Sequence, residues 1–111
     1  MIAQTPTAIF EVIDLPSLLV MGNSDQVRKQ LESRISGGLH RLILNLKPVE
    51  FMDSSGLAVL MSAWKKVKPF DGRVVLVSPS ASVRALLELT RLHEIFEIYE
   101  DMDAAQDNVS A

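Results

Sequence analysis

Two short runs made almost wholly of apolar residues, "RLILNL" from Arg41 to Leu46 and "RVVLVS" from Arg73 to Ser78, constrain this chain more than any other feature in it. A strand with one face in water alternates apolar and polar residues. These runs do not, so both faces of each must be covered, which is the situation of central parallel strands. Helices are then required on both sides of the sheet.

The intervening sequence supplies one of them. In "SSGLAVLMSAWKKVK" the residues Leu57, Leu60, Met61, Trp64 and Val67 recur at i, i+3, i+4 and i+7 and form one apolar stripe ending near Pro69. Trp64 belongs to that core stripe. An earlier helix is predicted from Asn23, which can cap, with Gln26 in the reaching-back position of a capping box. Its buried face is Val27, Leu31 and Ile35, and Gly37-Gly38 stops it. Ser80 caps a third helix, "ASVRALLELTRL", whose buried side is Val83, Leu86, Leu87 and Thr90. A short strand "IFEIY" (Ile95 to Tyr99) follows, then a last short helix over Met102 to Asn108, with the tail "NVSA" expected to be loose.

At the other end, "AIFEVI" (Ala8 to Ile13) and "LLVM" (Leu18 to Met21) flank "DLPS", whose Asp, Pro and Ser favour a reversal. They predict an opening β-hairpin at the sheet edge. The expected fold class is therefore an α/β sandwich: a mixed, mostly parallel sheet of four to five strands, an opening hairpin, about four helices and right-handed crossovers. A chain of 111 residues, 48% of them hydrophobic, fits one domain spanning residues 1–111, with an ordered core over about 8–103.

Composition removes several function classes. The formal net charge of -3 comes from interspersed acids and bases, without the basic surplus that would neutralise a nucleic-acid backbone. With no cysteine, disulfides, thiolate zinc sites and cysteine nucleophiles are excluded together. No apolar run approaches the roughly 18 residues of a spanning helix, and "MIAQTPTAIFEVID" lacks the pattern of a signal peptide. A cytoplasmic protein without direct membrane insertion is expected.

The segment "FMDSSGLAVL" follows a central strand and opens the next helix, near the carboxyl ends of the strands where α/β proteins usually place their sites. The residues alone admit two readings of it. "DSSG" can be a helix cap and nothing more, worth about 1 kcal/mol. Alternatively, a serine hydroxyl at a helix N-terminus is an accessible phosphoacceptor beside unpaired backbone N–H groups. Phosphorylation would add about -1.5 to -2 charges, which the helix dipole tolerates and Asp53 opposes. On the same helix Ser55, Ala58, Ser62 and Lys65 or Lys66 lie away from the core stripe. This track either simply tolerates exposure or lets another protein approach closely.

Catalysis is the weaker reading. The Gly-x-Ser-x-Gly elbow is absent and the only histidines, His40 and His93, sit at element boundaries, so Ser54 lacks a base. His93 and Glu94, being adjacent, lack zinc-ligand spacing. No cofactor or metal site is expected. Asn45, isolated in "LILNL", is either a core amide bonded to backbone or a group facing the site.

Two longer stretches, "LILNLKPVEFMDSSGLAVLMSAWKKVK" and "GRVVLVSPSASVRALLELTRLHEIFEIYED", resemble the bacterial anti-sigma-factor antagonist family, the STAS domains. The resemblance runs from about Arg41 to Asp103, and its most specific element is a hydrophobic residue followed by Met-Asp-Ser-Ser-Gly-Leu. It implies a partner-switching regulator. Ser54 would be phosphorylated by an anti-sigma factor that is itself a serine kinase, with Asp53 as acidic neighbour and Ser55 and Gly56 at the helix start. The unphosphorylated form would bind that kinase and free its client, and a metal-dependent serine phosphatase would reset it. The family's Gly-Glu-Leu-Asp is met by "GNSD", in which Gly22 and Asp25 fit and Asn23 and Ser24 do not. Thr90-Arg91-Leu92 stands where relatives often have Ser-Gly-Leu. Gly22, Asp25, Ala58, Ser62, Lys65 and Lys66 make up the expected partner surface. The alternative within the same fold is an accessory subunit of a transport complex, or a scaffold, that is never phosphorylated.

Overall fold

The computed structural model describes residues 10–109. Four strands, β1 (Glu11–Asp14), β3 (Arg41–Asn45), β5 (Arg73–Val77) and β6 (Glu97–Tyr99), form one sheet in the order β1-β3-β5-β6. Every pairing in it is parallel, with Ile13 opposite Leu44, Leu44 opposite Leu76 and Leu76 opposite Ile98. Two shorter strands, β2 (Leu18–Leu19) and β4 (Phe51–Met52), pair with each other, also in parallel. Among the described residues there are four α-helices, α1 (Met21–Ser36), α2 (Ser54–Val67), α3 (Ala81–Leu89) and α4 (Met102–Val109).

The apolar runs of β3 and β5 divide by parity between two cores. Leu42, Leu44, Val74 and Leu76 face α1, α2 and α3, whose Val27, Leu31, Leu60, Val67, Val83 and Leu87 fill the larger core. Ile43, Val75 and Val77 point the other way and are covered by Ala105 and Val109 of α4. The absence of alternation in these strands thus reports helices on both faces.

The opening hairpin does not form. β1 pairs with β3 and β2 with β4, so the two segments lie in different sheets. The reason lies in "DLPS". Leu15 donates its N–H to Asn45 O at 3.1 Å and extends the β1–β3 ladder by one residue, after which Pro16 has no N–H to continue it. Ser17 O instead accepts from the N–H groups of Glu50 and Phe51 and sends the chain toward β4. The residues Ala8 and Ile9 of the predicted hairpin lie outside the described residues. The sheet is accordingly parallel in all described pairings, not mixed.

Helix boundaries shift in instructive ways. α1 begins at Met21, two residues before the predicted cap. Asn23 sits inside the first turn, where its side chain accepts from Val20 N–H (3.0 Å) and donates to Leu18 O (2.7 Å), so it reaches back itself, the role predicted for Gln26. The predicted stop is correct: Gly38 takes φ +111°, a conformation that side chains rarely adopt. Ser80 caps α3 through Val83 N–H at 3.2 Å. Thr90, predicted on the buried side of α3, is exposed and returns its hydroxyl to Leu86 O and Leu87 O. α4 runs one residue past the expected end at Asn108 and takes in Val109, expected to be loose, because Val109 is buried against the sheet.

Candidate functional site at the start of α2

The site is assembled where α2 leaves β4. Leu46 and Val49, both buried, anchor the loop before β4 from beneath. Asp53 then adopts an extended conformation and acts as the N-cap of α2. Its N–H donates to Leu19 O at 3.2 Å, and its carbonyl accepts from Gly56 N–H (3.0 Å) and Leu57 N–H (3.3 Å). Its carboxylate accepts from Ser55 N–H at 2.8 Å through Oδ1 and from Met21 N–H, the first residue of α1, at 3.3 Å through Oδ2. The starts of α1 and α2 meet at one side chain.

Ser54 is the first residue of α2 and is exposed. Since Asp53 performs the capping, the Ser54 hydroxyl has no structural duty at the helix start. Ser55 is half-buried and Gly56 is buried. A Cβ at Gly56 would stand 2.4 Å from Met52 Cγ and 2.8 Å from Leu19 O, so this glycine lets the helix press against the β2–β4 pair. The serine is therefore presented to solvent on a rigid base.

The residues expected to face a partner fall into two groups. Gly22 and Asp25, both exposed, line a groove of about 970 Å³ between α1 and the end of β1, together with Ile13, Pro16 and Lys29. Asp25 is ion-paired with Arg28 and, at 3.3 Å, with Lys29, and these hydrogen bonds hold its carboxyl below the usual range. Ala58, Ser62, Lys65 and Lys66 line a shallower groove along α2 with Met61. Ser62 is half-buried, its hydroxyl donating to Glu32 Oε2 of α1 at 2.7 Å. That bond, followed by Arg28, lowers the Glu32 carboxyl despite partial burial. Ser62 thus spends its hydrogen bond on the α1–α2 contact, which leaves Ala58, Lys65 and Lys66 as the exposed part of the track.

Asn45 is bonded to backbone, as the first reading has it, but is not a core residue. Half-buried at the end of β3, it accepts from Lys47 N–H (3.1 Å) and donates to Asp14 Oδ1 (2.9 Å). Trp64 packs against the larger core with its ring under Lys68 Nζ, 4.4 Å from the centroid.

An apolar surface beside the serine is visible only in the folded structure. Leu18 and Phe51 stand opposite each other in the β2–β4 ladder and are 51% and 56% exposed, and Met21 is 77% exposed. The expected hairpin put Leu18 and Met21 in one edge strand and left Phe51 outside any strand. Only the pairing of β2 with β4 turns Leu18 and Phe51 outward while Leu19 and Met52 are buried.

Comparison with known proteins places this geometry in a family. Residues 2–105 match the STAS domain family, and the chain belongs to it. It is 31% identical over 91 residues to the anti-sigma F factor antagonist of Paenibacillus polymyxa, covering 81% of this chain and 78% of that protein. Among solved structures, the anti-sigma factor antagonist SpoIIAA in its unphosphorylated form superposes with a TM-score of 0.81 at 25% identity, covering 96% of this chain and 93% of that one. A sulfate transporter family protein from Wolinella succinogenes shares the fold, with a TM-score of 0.79 at 16% identity and coverage of 97% and 89%. Among the described residues no helix is long and apolar enough to cross a membrane.

Proposed function

We propose that this chain is an anti-sigma-factor antagonist controlled by phosphorylation at Ser54. The observation that carries the reading is an exposed serine at the first position of α2 whose capping is done by its neighbour, so that the hydroxyl itself is free for modification. The kinship with the Paenibacillus antagonist and with SpoIIAA supports it. In this reading the unphosphorylated protein binds an anti-sigma factor that is also a serine kinase. The kinase transfers the γ-phosphoryl group of ATP to Ser54 Oγ, ADP leaves, and the proton of the hydroxyl is taken up by the kinase or solvent. The added charge expels the partner, and a metal-dependent serine phosphatase restores the hydroxyl.

Partner contact is assigned to the exposed surface around Ser54: Gly22 and Asp25 on α1, and Ala58, Lys65 and Lys66 on α2. The two lysines act mainly on encounter rate. Ser62 supports the surface from within.

The test is a pull-down of the kinase by wild type, by Ser54→Ala and by protein phosphorylated with that kinase, with phosphate located by mass spectrometry. Capture by the first two and not by the third is expected. Phosphate at another residue, or equal capture by all three, would overturn the switch. The accessory-subunit reading predicts no phosphate at all.

A further inference from the structure

Four backbone N–H groups of this site are already committed to Asp53. Asp53 takes Ser55 N–H through one carboxylate oxygen and Met21 N–H through the other, while its carbonyl takes Gly56 N–H and Leu57 N–H. Met21 opens α1, and the residues before it are fastened by the two bonds of Asn23 to Val20 and Leu18. Asp53 is thus the link between the helix that carries Ser54 and the junction that carries the exposed Leu18 and Met21 side chains.

A phosphate on Ser54 brings about -1.5 to -2 charges to a position one residue from this carboxylate, and its oxygens compete for Ser55 N–H in the same first turn of α2. The two anions repel, and the more highly charged acceptor takes Ser55 N–H while the carboxylate moves away from Met21 N–H on α1. Building on the switch reading above, we infer that phosphorylation of Ser54 reaches the partner surface through Asp53: the phosphate displaces the carboxylate, Met21 N–H loses its acceptor, and the first turn of α1 is released. The signal is then a change at α1 as well as a charge at Ser54. Asp53 is a positioning residue in this device.

The test installs phosphoserine at position 54 of the full chain during translation, so that no kinase is needed, and follows individual amides by hydrogen exchange and NMR. Loss of one hydrogen bond to a charged acceptor is expected to speed exchange at Met21 by about tenfold. Asp53→Ala is expected to produce the same rise without phosphate, and phosphate in that background to add nothing. An unchanged Met21 amide in the phosphorylated wild type would sink the inference, as would a full response in Asp53→Ala. Should Asp53→Ala fold poorly, the wild-type pair decides alone. A kinase that never modifies Ser54 would overturn the switch reading and leave this measurement standing. A phosphate that abolishes partner capture while Met21 stays silent would overturn only the link through Asp53.

Discussion

The Ser62 hydroxyl lies 2.7 Å from Glu32 Oε2 and ties α2 to the C-terminal part of α1. Removing it as Ser62→Ala is expected to cost about 1 kcal/mol in urea unfolding, the net worth of one such bond or somewhat more because the acceptor is charged. The cost should depend on pH with a defined sign. Glu32 titrates below its ordinary value in the folded protein, so its contribution is fully present above the unfolded carboxylate value of about 4.3 and is lost as pH falls through the folded one. The stability difference between wild type and Ser62→Ala should therefore shrink in acid. A difference that grows below that value would contradict the assignment.

Gly56→Ala sets two effects against each other. In a helix interior alanine is favoured over glycine by about 1 kcal/mol. Here the new methyl would meet Leu19 O at 2.8 Å and Met52 Cγ at 2.4 Å, and the former is backbone that a side-chain rotation does not clear. Overpacking of this kind costs about 1 to 3 kcal/mol, so the net change is expected to be destabilising. A higher melting temperature for Gly56→Ala would show that the helix start can slide away from β2.

How much of this was legible in the sequence follows from which interactions are local. The stripe of Leu57, Leu60 and Val67, the Ser80 cap and the stop at Gly38 depend on residues a few positions apart, and each was read correctly. The candidate serine was legible for the same reason, since Asp53 and Ser54 are neighbours. Strand pairing is not local. Nothing in "AIFEVI" and "LLVM" states that they pair with segments some 30 residues away, and a Pro that ends a ladder looks the same as a Pro that turns a hairpin. The bond from Met21 to Asp53 and the bond from Ser62 to Glu32 span 32 and 30 residues, so neither was visible.

Substitutions at the two adjacent residues Asp53 and Ser54 should separate cap from signal. Asp53→Ala removes the acceptor for Ser55 N–H and Met21 N–H and is expected to destabilise the fold by about 0.5 to 2 kcal/mol. Ser54→Ala exchanges an exposed hydroxyl and should stay within about 0.5 kcal/mol of wild type. Chemical denaturation of both variants settles the order. A Ser54→Ala loss as large as that of Asp53→Ala would mean that the serine, not the aspartate, holds the helix start.

Tyr99 offers a direct spectroscopic check on the far edge of the sheet, because it is the sole tyrosine of the chain. Its hydroxyl donates to Glu97 Oε1 at 3.3 Å, and Glu97 is in turn held by Arg73, with Nε to Oε2 at 2.8 Å. Desolvation, and then the negative charge of Glu97, raise the phenol above its ordinary value, while Arg73 opposes them. Such a group contributes stability that is present below the unfolded value of about 10 and lost as pH rises through the folded one. Glu97→Gln removes the carboxylate charge but not the desolvation. The ultraviolet titration of Tyr99 is therefore expected to move down toward the ordinary value. A midpoint that stays in place or climbs in Glu97→Gln would show that the carboxylate does not act on the phenol, and that burial alone sets its titration.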